Sequence, residues 1–191
     1  MKLINRIFNL FKSLDEKTVR SELPVPQEHK ENKDLMHFLN FYLNQSPYIK
    51  IEKRQVVLEH LLNIRDIFKT NNYLSLAEKK ELGVNVRVKV SRELADVLNS
   101  DGLKLNNPKY AILSIEHKAG GDYNRYAFIQ EFKTSKVLSK VKIICPIDAK
   151  TCEWCKSINE KSLSVDTNIN LLIQDNCTCE DWNRCVIVAD I

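Results

Sequence analysis

The sequence predicts an α+β protein that is predominantly helical, with a helical domain followed by a small cysteine-rich C-terminal module. Three observations predict this class. Apolar residues recur at helical spacing over most of residues 34–106. A β-branched, apolar run at 136–146 is typical of a strand. All six cysteines of the 191-residue chain lie between Cys145 and Cys185, so they mark a separate module.

Composition narrows the class of protein further. With 43% hydrophobic and 28% charged residues, the chain is typical of a globular protein that can bury a core without disulfides. A net charge of +4 permits contact with nucleic acid but does not require it. Neither glycine-rich phosphate-binding motif is present. No apolar run is long enough for a transmembrane helix, and no signal peptide is recognisable, so we expect a cytoplasmic protein or one associated with a virion.

The first predicted segment, residues 1–33, is an amphipathic helix followed by a linker. The apolar residues of 1–14 follow a helical period and face one side: Leu3, Ile4, Ile7, Phe8, Phe11 and Leu14. Such a face packs on the chain's own core or on a second copy, or it binds a protein partner or a membrane surface. Residues 15–33 are charged and contain two prolines, which indicates a linker or strap.

The second segment, residues 34–106, is predicted to be a helical domain. Helices are expected at 34–45 and 51–70, and a short one at 75–83. Ser75 and Glu78 have the spacing of a capping box at the start of the short helix, and Gly83 is placed to end it. The alternating valines of 84–90 favour a strand, and the residues after it, up to Gly102, favour a helix.

The third segment, residues 107–191, is predicted to run helix, strand and cysteine module. Asn107 and Pro108 are typical of a helix start. Gly120 and Gly121 are unfavourable inside a helix, by about 1 kcal/mol each relative to alanine, so they mark either a break between two helices or a hairpin turn. The run at 136–146 is predicted to be the strand that enters the cysteine region.

Cysteine spacing is the most informative feature of the sequence. Cys152 and Cys155 are separated by two residues, the spacing of a knuckle that points two thiolates at one zinc ion. Cys177, Cys179 and Cys185 follow about twenty residues later, and a metal joining the two stretches would contribute to folding. The predicted ligands of a structural Zn²⁺ are Cys152, Cys155, Cys177 and either Cys179 or Cys185. No histidine lies in this region, so the site would consist of sulfur alone and would be structural.

The cysteine cluster is also compatible with three kinds of chemistry besides zinc binding. Disulfides would suit an exported or virion protein, whereas a reducing cytoplasm favours metal ligands. A thioredoxin-like dithiol at residues 152–155 would need a βαβ context that the sequence lacks. Iron–sulfur ligation is a further alternative. The role of Cys145 is not assigned by spacing.

Basic residues precede the cysteines and suggest a second kind of site. Four lysines lie within ten residues, and they are either a solvated face or contacts for phosphate: Lys133, Lys136, Lys140 and Lys142. A nucleic-acid-binding zinc module is therefore one alternative function. An enzyme with a site in the helical domain is another, although no nucleophile–base or carboxylate pair is recognisable in the sequence, which favours a protein that is not an enzyme.

The segment from 148 to 161 resembles a known family. Residues matching the first half of its motif are Asp148, Thr151, Cys152, Cys155, Ile158 and Lys161, and those matching the second half are Asn176, Cys177 and Cys179. The pattern is similar to the C-terminal part of the phage Mu F-like head morphogenesis proteins, the minor head proteins associated with the portal. The resemblance covers about residues 110–180, implies that 108–134 is a helix, and implies an assembly role in a phage or prophage.

Two positions depart from that family's pattern. Glu160 stands where the family has glycine, and Gln174 stands at the position of its histidine. If that histidine is a metal ligand in the family, Cys179 or Cys185 must replace it here. The function expected from the sequence is a non-enzymatic binding or assembly protein with a structural zinc site and a protein partner, bound through the 1–14 helix.

Overall fold

Helices form about half of the residues that the computed structural model describes, which are 33–69, 71–135 and 139–190. The α+β, predominantly helical class is therefore confirmed. The predicted 1–14 helix and nearly all of the 15–33 linker lie outside the described residues. The helices are α1 Lys33–Gln45, α2 Arg54–Leu61, α3 Leu76–Glu81, α4 Arg92–Val97, α5 Ser100–Leu103, α6 Tyr110–Ser135, α7 Glu153–Ile158 and α8 Ile169–Asn176, with a 3₁₀ turn at Ile51–Lys53. The strands are β1 Lys140–Ile144, β2 Ser162–Ser164 and β3 Val186–Ala189.

A first hydrophobic core is formed by the short helices packing with α1 and the first half of α6. Its fully buried side chains include Leu43, Val57, Leu94, Leu98 and Ile112. The capping box predicted at Ser75 is present, with the Ser75 hydroxyl accepting from the Glu78 amide and the Glu78 carboxylate accepting from the Ser75 amide. Gly83 ends this helix with a φ of 67°, a backbone conformation that suits glycine.

Two predicted elements in this region are wrong. The valine run 84–90 is not a strand, because it folds into turns that bury Val84 and Val90 while Val86 stays exposed. The only bridge nearby joins Ser91 to Tyr73, so alternating valines have no partner strand among the described residues. The helix predicted over 51–70 ends at Leu61, because Asn63 turns the chain with a φ of 60°.

Helix α6 is continuous over 26 residues and passes through Gly120 and Gly121. The helix implied for 108–134 is confirmed, and neither a break nor a hairpin occurs at the glycines. Gly121 lies against the guanidinium of Arg125, and an added Cβ would be 3.4 Å from its Nη1 atom. Because Gly121 has no side chain, the guanidinium of Arg125 can lie close to the backbone of α6. From there it reaches the cysteine module.

A second hydrophobic core lies between α6, a small sheet and the last two helices. The sheet has the order β2-β1-β3, and both pairings are antiparallel. Helix α7 lies in the connection between β1 and β2. Most of the core consists of β-branched aliphatic residues and cysteines: Ile129, Val141, Ile143, Cys145, Cys155, Ile158, Val165, Ile169, Ile173, Cys185 and Ile187.

Glu160 occupies a strained backbone position between α7 and β2. Its φ is 62°, in the left-handed region, and its amide donates to the carbonyl of Ile143 at 2.7 Å. A non-glycine residue there costs about 1–2 kcal/mol. The backbone at position 160 therefore favours glycine over glutamate.

We therefore expect Glu160→Gly to stabilise the protein. Relief of the left-handed strain exceeds the added entropy of a glycine in the unfolded chain, which leaves a net gain of about 0.5–1 kcal/mol in the free energy of unfolding. The matched control is Glu116→Gly, at an exposed position within α6, which should cost about 1 kcal/mol. Urea denaturation measures both. A loss of stability in both variants would contradict the strain at Glu160.

Candidate metal centre

Four cysteines converge at one end of the second core. The sulfur atoms of Cys152, Cys155, Cys177 and Cys179 all lie within 4.8 Å of one another. The Cys155–Cys177 distance is 3.5 Å and the Cys155–Cys179 distance is 3.8 Å. Four thiolates bound at about 2.3 Å to a tetrahedral ion lie about 3.8 Å apart, so this group can hold a metal ion.

The ends of the two short helices position these sulfurs. Cys152 is the N-cap residue of α7 and Cys155 lies in its first turn, which is the local geometry expected of a two-residue spacing. Cys177 follows α8 directly, and its amide donates to the carbonyl of Ile173 at 2.8 Å. Cys179 comes two residues later and accepts from the Cys152 amide at 3.4 Å.

A salt bridge and two hydrogen bonds fix the loop that carries Cys152. The Asp148 carboxylate accepts from both terminal nitrogens of Arg184, at 2.7 and 2.6 Å. The Thr151 hydroxyl donates to the Pro146 carbonyl at 2.6 Å and lies 3.0 Å from Asp148 Oδ1. The hydrogen bond from Arg184 holds the pKa of Asp148 well below its usual range. The Asp148 carboxylate therefore stays ionised and orders the loop.

Burial and local hydrogen bonds shift the pKa values of these thiols in different directions. Burial and hydrogen bonds with Cys152 and Cys177 raise the pKa of Cys155, and burial also raises that of Cys179. Burial alone would raise the pKa of Cys152 as well, but hydrogen bonds from the amides of Cys155 and Thr178 lower it to about 6. Without a cation, therefore, one of these thiols ionises readily near neutral pH and its neighbours resist ionisation.

Cys179 and Cys185, the two candidates for the fourth ligand, lie in different surroundings. Cys179 lies with the other three thiols, whereas Cys185 forms a disulfide with Cys145, at an S–S distance of 2.01 Å. The prediction that Cys179 or Cys185 is the fourth ligand stays a prediction, and the geometry of this structure favours Cys179. Strand register explains the pairing: Ile144 lies opposite Val186 in the β1–β3 ladder, so the next opposed pair is Cys145 and Cys185.

Asn183 is a contact of the cluster that cysteine spacing does not indicate. Its side-chain nitrogen lies 3.3 Å from the sulfurs of both Cys155 and Cys177 and 3.5 Å from that of Cys185. Its oxygen accepts from the Cys185 amide at 3.0 Å. Hydrogen bonds of this kind orient ligands and stabilise negative charge on sulfur.

A buried ion pair lies beside the cluster and connects it to the helices. Asp122 and Arg125, one turn apart on α6, form a salt bridge with side chains that are 3% and 5% exposed. Arg125 also donates to the Cys185 carbonyl at 2.8 Å and to Asn170 on α8 at 2.9 Å. The guanidinium therefore joins α6 to both flanks of the cysteine module.

The carboxylate of Asp122 completes the connection toward α1. Its Oδ2 atom accepts from the Tyr42 hydroxyl at 2.6 Å and from Gln174 at 2.8 Å. Burial and the Asp122 carboxylate raise the pKa of Tyr42. Gln174 is thus part of this network, while Cys179 is the fourth sulfur of the cluster.

A cleft of about 420 Å³ opens above this network. One wall is the C-terminal end of α1 and the turn after it, with Phe41, Tyr42 and Tyr48. The opposite wall is the loop after Cys179, where Trp182 stacks on His117 of α6 at 4.2 Å. The rim carries charges of both signs, from Lys118, Glu180 and Asp181. The cleft is thus partly aromatic, partly charged and bordered by two of the clustered cysteines.

The lysines predicted as a phosphate-binding site differ in their surroundings. Lys133 pairs with Asp166 at 3.4 Å, and Lys142 pairs with Asp190 at 2.6 Å. Lys140 is exposed at the start of β1, and Lys136 lies outside the described residues. Two of these lysines therefore have a carboxylate partner within the chain.

No family model, no curated protein and no solved structure matches this chain. None of the described helices is long and apolar enough to cross a membrane.

The buried ion pair should be strongly required for stability. Asp122→Asn places an amide against Arg125 and leaves the guanidinium buried without its counter-charge, so we expect a loss of about 3–5 kcal/mol in the free energy of unfolding. The control is Asp96→Asn, which removes an exposed carboxylate that Lys53 contacts at 2.6 Å, and which should cost about 1 kcal/mol or less. Denaturant titration of the full chain measures both. Equal losses in the free energy of unfolding for Asp122→Asn and Asp96→Asn would contradict a special requirement for the buried pair.

Proposed function

We propose that this protein is a non-enzymatic binding or assembly protein whose C-terminal module is held together by a structural zinc ion. The observation that carries the proposal is the convergence of four free thiols from two separate stretches of chain, within 4.8 Å of one another. Thiolates are soft ligands, and four of them in tetrahedral arrangement are typical of structural zinc.

Zinc suits this cluster for an electrostatic reason. The burial that disfavours the thiolate form of Cys155 and Cys179 is opposed by a divalent cation, which favours the thiolate at every sulfur. With four protein sulfurs there is no open position for substrate or water, so a structural role is favoured over a catalytic one. The site joins α7 to the end of α8, and each of these helices has eight residues or fewer.

A protein partner fits the cleft better than a small ligand does. Aromatic side chains with charged neighbours are typical of protein interfaces, and Tyr and Trp are enriched in their most important contacts. The zinc ion would hold the Cys179–Trp182 loop in place as one wall of that cleft. Protein recognition would thus depend on the metal without the metal touching the partner.

The phage Mu F-like resemblance is consistent with an assembly role and is part of the proposal. Two features support it: the left-handed backbone at Glu160, where that family has glycine, and the Asp148–Thr151 contact that orders the first cysteine loop. The proposed role is accordingly that of a minor head or head-assembly protein of phage or prophage origin. Nucleic-acid binding is less favoured, because Lys133 and Lys142 already have carboxylate partners.

Zinc content tests the metal centre. Full-length protein purified without added metal and with the Cys145–Cys185 disulfide intact should contain one zinc ion per chain, because four thiolates saturate one tetrahedral ion. Cys177→Ser should lose the zinc and lower the melting temperature, since metal binding contributes to folding. Elemental analysis and thermal denaturation measure the two effects.

The control for this experiment is the double variant Cys145→Ser/Cys185→Ser, which removes the disulfide and keeps all four proposed ligands. It should retain its zinc ion. Wild-type protein without zinc, or a Cys177→Ser variant with full zinc content, would contradict the proposed centre.

Site-specific cross-linking tests the partner surface. A photoreactive amino acid at Gln45 or Glu180, both exposed residues of the cleft, should form an adduct with one protein of defined mass in cells that naturally make this chain. The adduct should disappear when Cys177→Ser is added, because the wall of the cleft depends on the metal.

The matched control position is Glu131, which is exposed on α6 and does not line the cleft. It should give no adduct. Equal adducts at all three positions, or adducts with nucleic acid in place of protein, would contradict a protein-binding cleft.

A further inference from the structure

Cys155 belongs to two groups of sulfurs. Besides the four-cysteine group, its sulfur lies within 4.8 Å of those of Cys145 and Cys185. All three side chains are buried, with exposed fractions of 0% for Cys155, 4% for Cys145 and 3% for Cys185. In the described residues, the six cysteines of the chain thus form two overlapping groups that share one sulfur, and one group is closed by a disulfide.

We propose that reduction of the Cys145–Cys185 disulfide opens a second site for a divalent, thiophilic metal ion, with Cys155 bridging the two ions. This inference rests on the proposed zinc centre, since binding of the first ion keeps Cys155 in the thiolate form that bridges to the second ion. The ligands of the second ion would be Cys145, Cys155 and Cys185, and a water molecule would take the fourth position of a tetrahedral ion.

The formal charge of the cluster permits a second divalent ion at the reduced Cys145 and Cys185. One divalent ion with four thiolates carries a formal charge of minus two, and two such ions with six thiolates carry the same charge. The second ion therefore adds no net charge to a buried cluster, and the nearby guanidinium of Arg125 needs no new counter-charge. A monovalent ion at the same three sulfurs would add net negative charge, so it is disfavoured.

The two groups of sulfurs are connected by a polar contact that they share. The Asn183 amide nitrogen is within 3.5 Å of Cys155, Cys177 and Cys185 sulfurs, so one donor contacts both groups. Cys145 and Cys185 are directly opposed at the end of the β1–β3 ladder, with their Cα atoms 4.2 Å apart. Their separation is fixed by the sheet, so the two thiols remain side by side when the bond between them is broken.

The chemistry balances with a dithiol or phosphine as the reductant. The S–S bond of Cys145–Cys185 breaks, the reductant supplies two electrons and is itself oxidised, and two protons give two thiols. Binding of the second ion then releases one proton from each of these thiols, while Cys155 is already ionised at the first ion. The disulfide and the second metal are therefore mutually exclusive states of the same two residues.

The experiment compares zinc content before and after reduction. Full-length protein is unfolded and refolded in excess zinc, either with the disulfide intact or with a phosphine reductant, and loosely bound zinc is removed by gel filtration. Thiol titration of the denatured protein checks that reduction raises the four free thiols to six. Zinc per chain should double, from one ion to two.

The control is Cys145→Ser/Cys185→Ser, which should hold one ion with or without reductant. A cobalt titration followed by the thiolate-to-cobalt absorbance gives a second readout that needs no chromatography, and it should saturate at twice the cobalt in reduced wild type as in the double variant. Reduced wild type that holds one ion would overturn the second site and leave the first intact. Two zinc ions bound before reduction would overturn the claim that the second site requires reduction of the disulfide. No zinc in any sample would overturn the proposed zinc centre itself.

Discussion

Four thiols that lie within 4.8 Å of one another cannot all ionise unless a cation lies between them. Most of the C-terminal module depends on this constraint. Its helices have six and eight residues and its strands three to five, lengths at which neither helices nor hairpins are stable alone in water. A metal ion bound by these four thiols would join α7 to the end of α8, a link that such short elements lack. In the proposed metal centre, the cluster thus contributes directly to the stability of the module.

Two further links stabilise this module, and the second of them attaches it to the helices before it. The Cys145–Cys185 disulfide closes the end of the β1–β3 ladder next to Cys155. The Asp122–Arg125 pair on α6 contacts the Cys185 carbonyl, two polar residues of α8 and Tyr42 of α1. Because α6 contributes to both hydrophobic cores, a single long helix carries these contacts from one part of the fold to the other. The cleft lies where α1, α6 and the cysteine loops meet.

Local signals in the sequence predicted local structure well. The capping box at Ser75, the left-handed glycine at Gly83 and the two-residue spacing of Cys152 and Cys155 each depend on a few neighbouring residues, and each has the expected geometry. The valines of 84–90 misled the prediction, since alternation describes a strand only when a partner strand is available. The long helix α6 was implied by resemblance, because its two glycines argue against it locally.

Features that depend on tertiary contacts could not be predicted in the same way. The choice between Cys179 and Cys185 follows from the register of β1 and β3, which places Cys185 opposite Cys145, and register is not readable from cysteine spacing. Gln174 and Asp122 are 52 residues apart in sequence and give no joint signal, yet they share a hydrogen bond at the floor of the cleft. Asn183 likewise looks like an ordinary loop residue until its contacts with three sulfurs are known.

The proposed zinc centre requires four ligands that bind one metal ion through sulfur alone: Cys152, Cys155, Cys177 and Cys179. X-ray absorption spectroscopy at the zinc edge, on full-length protein with the disulfide intact, observes these ligands themselves. We expect a single shell of four sulfur atoms at about 2.3 Å. A first shell that contains nitrogen or oxygen at about 2.0–2.2 Å would contradict the four-sulfur centre, because it would mean that at least one of the four thiols is not a ligand.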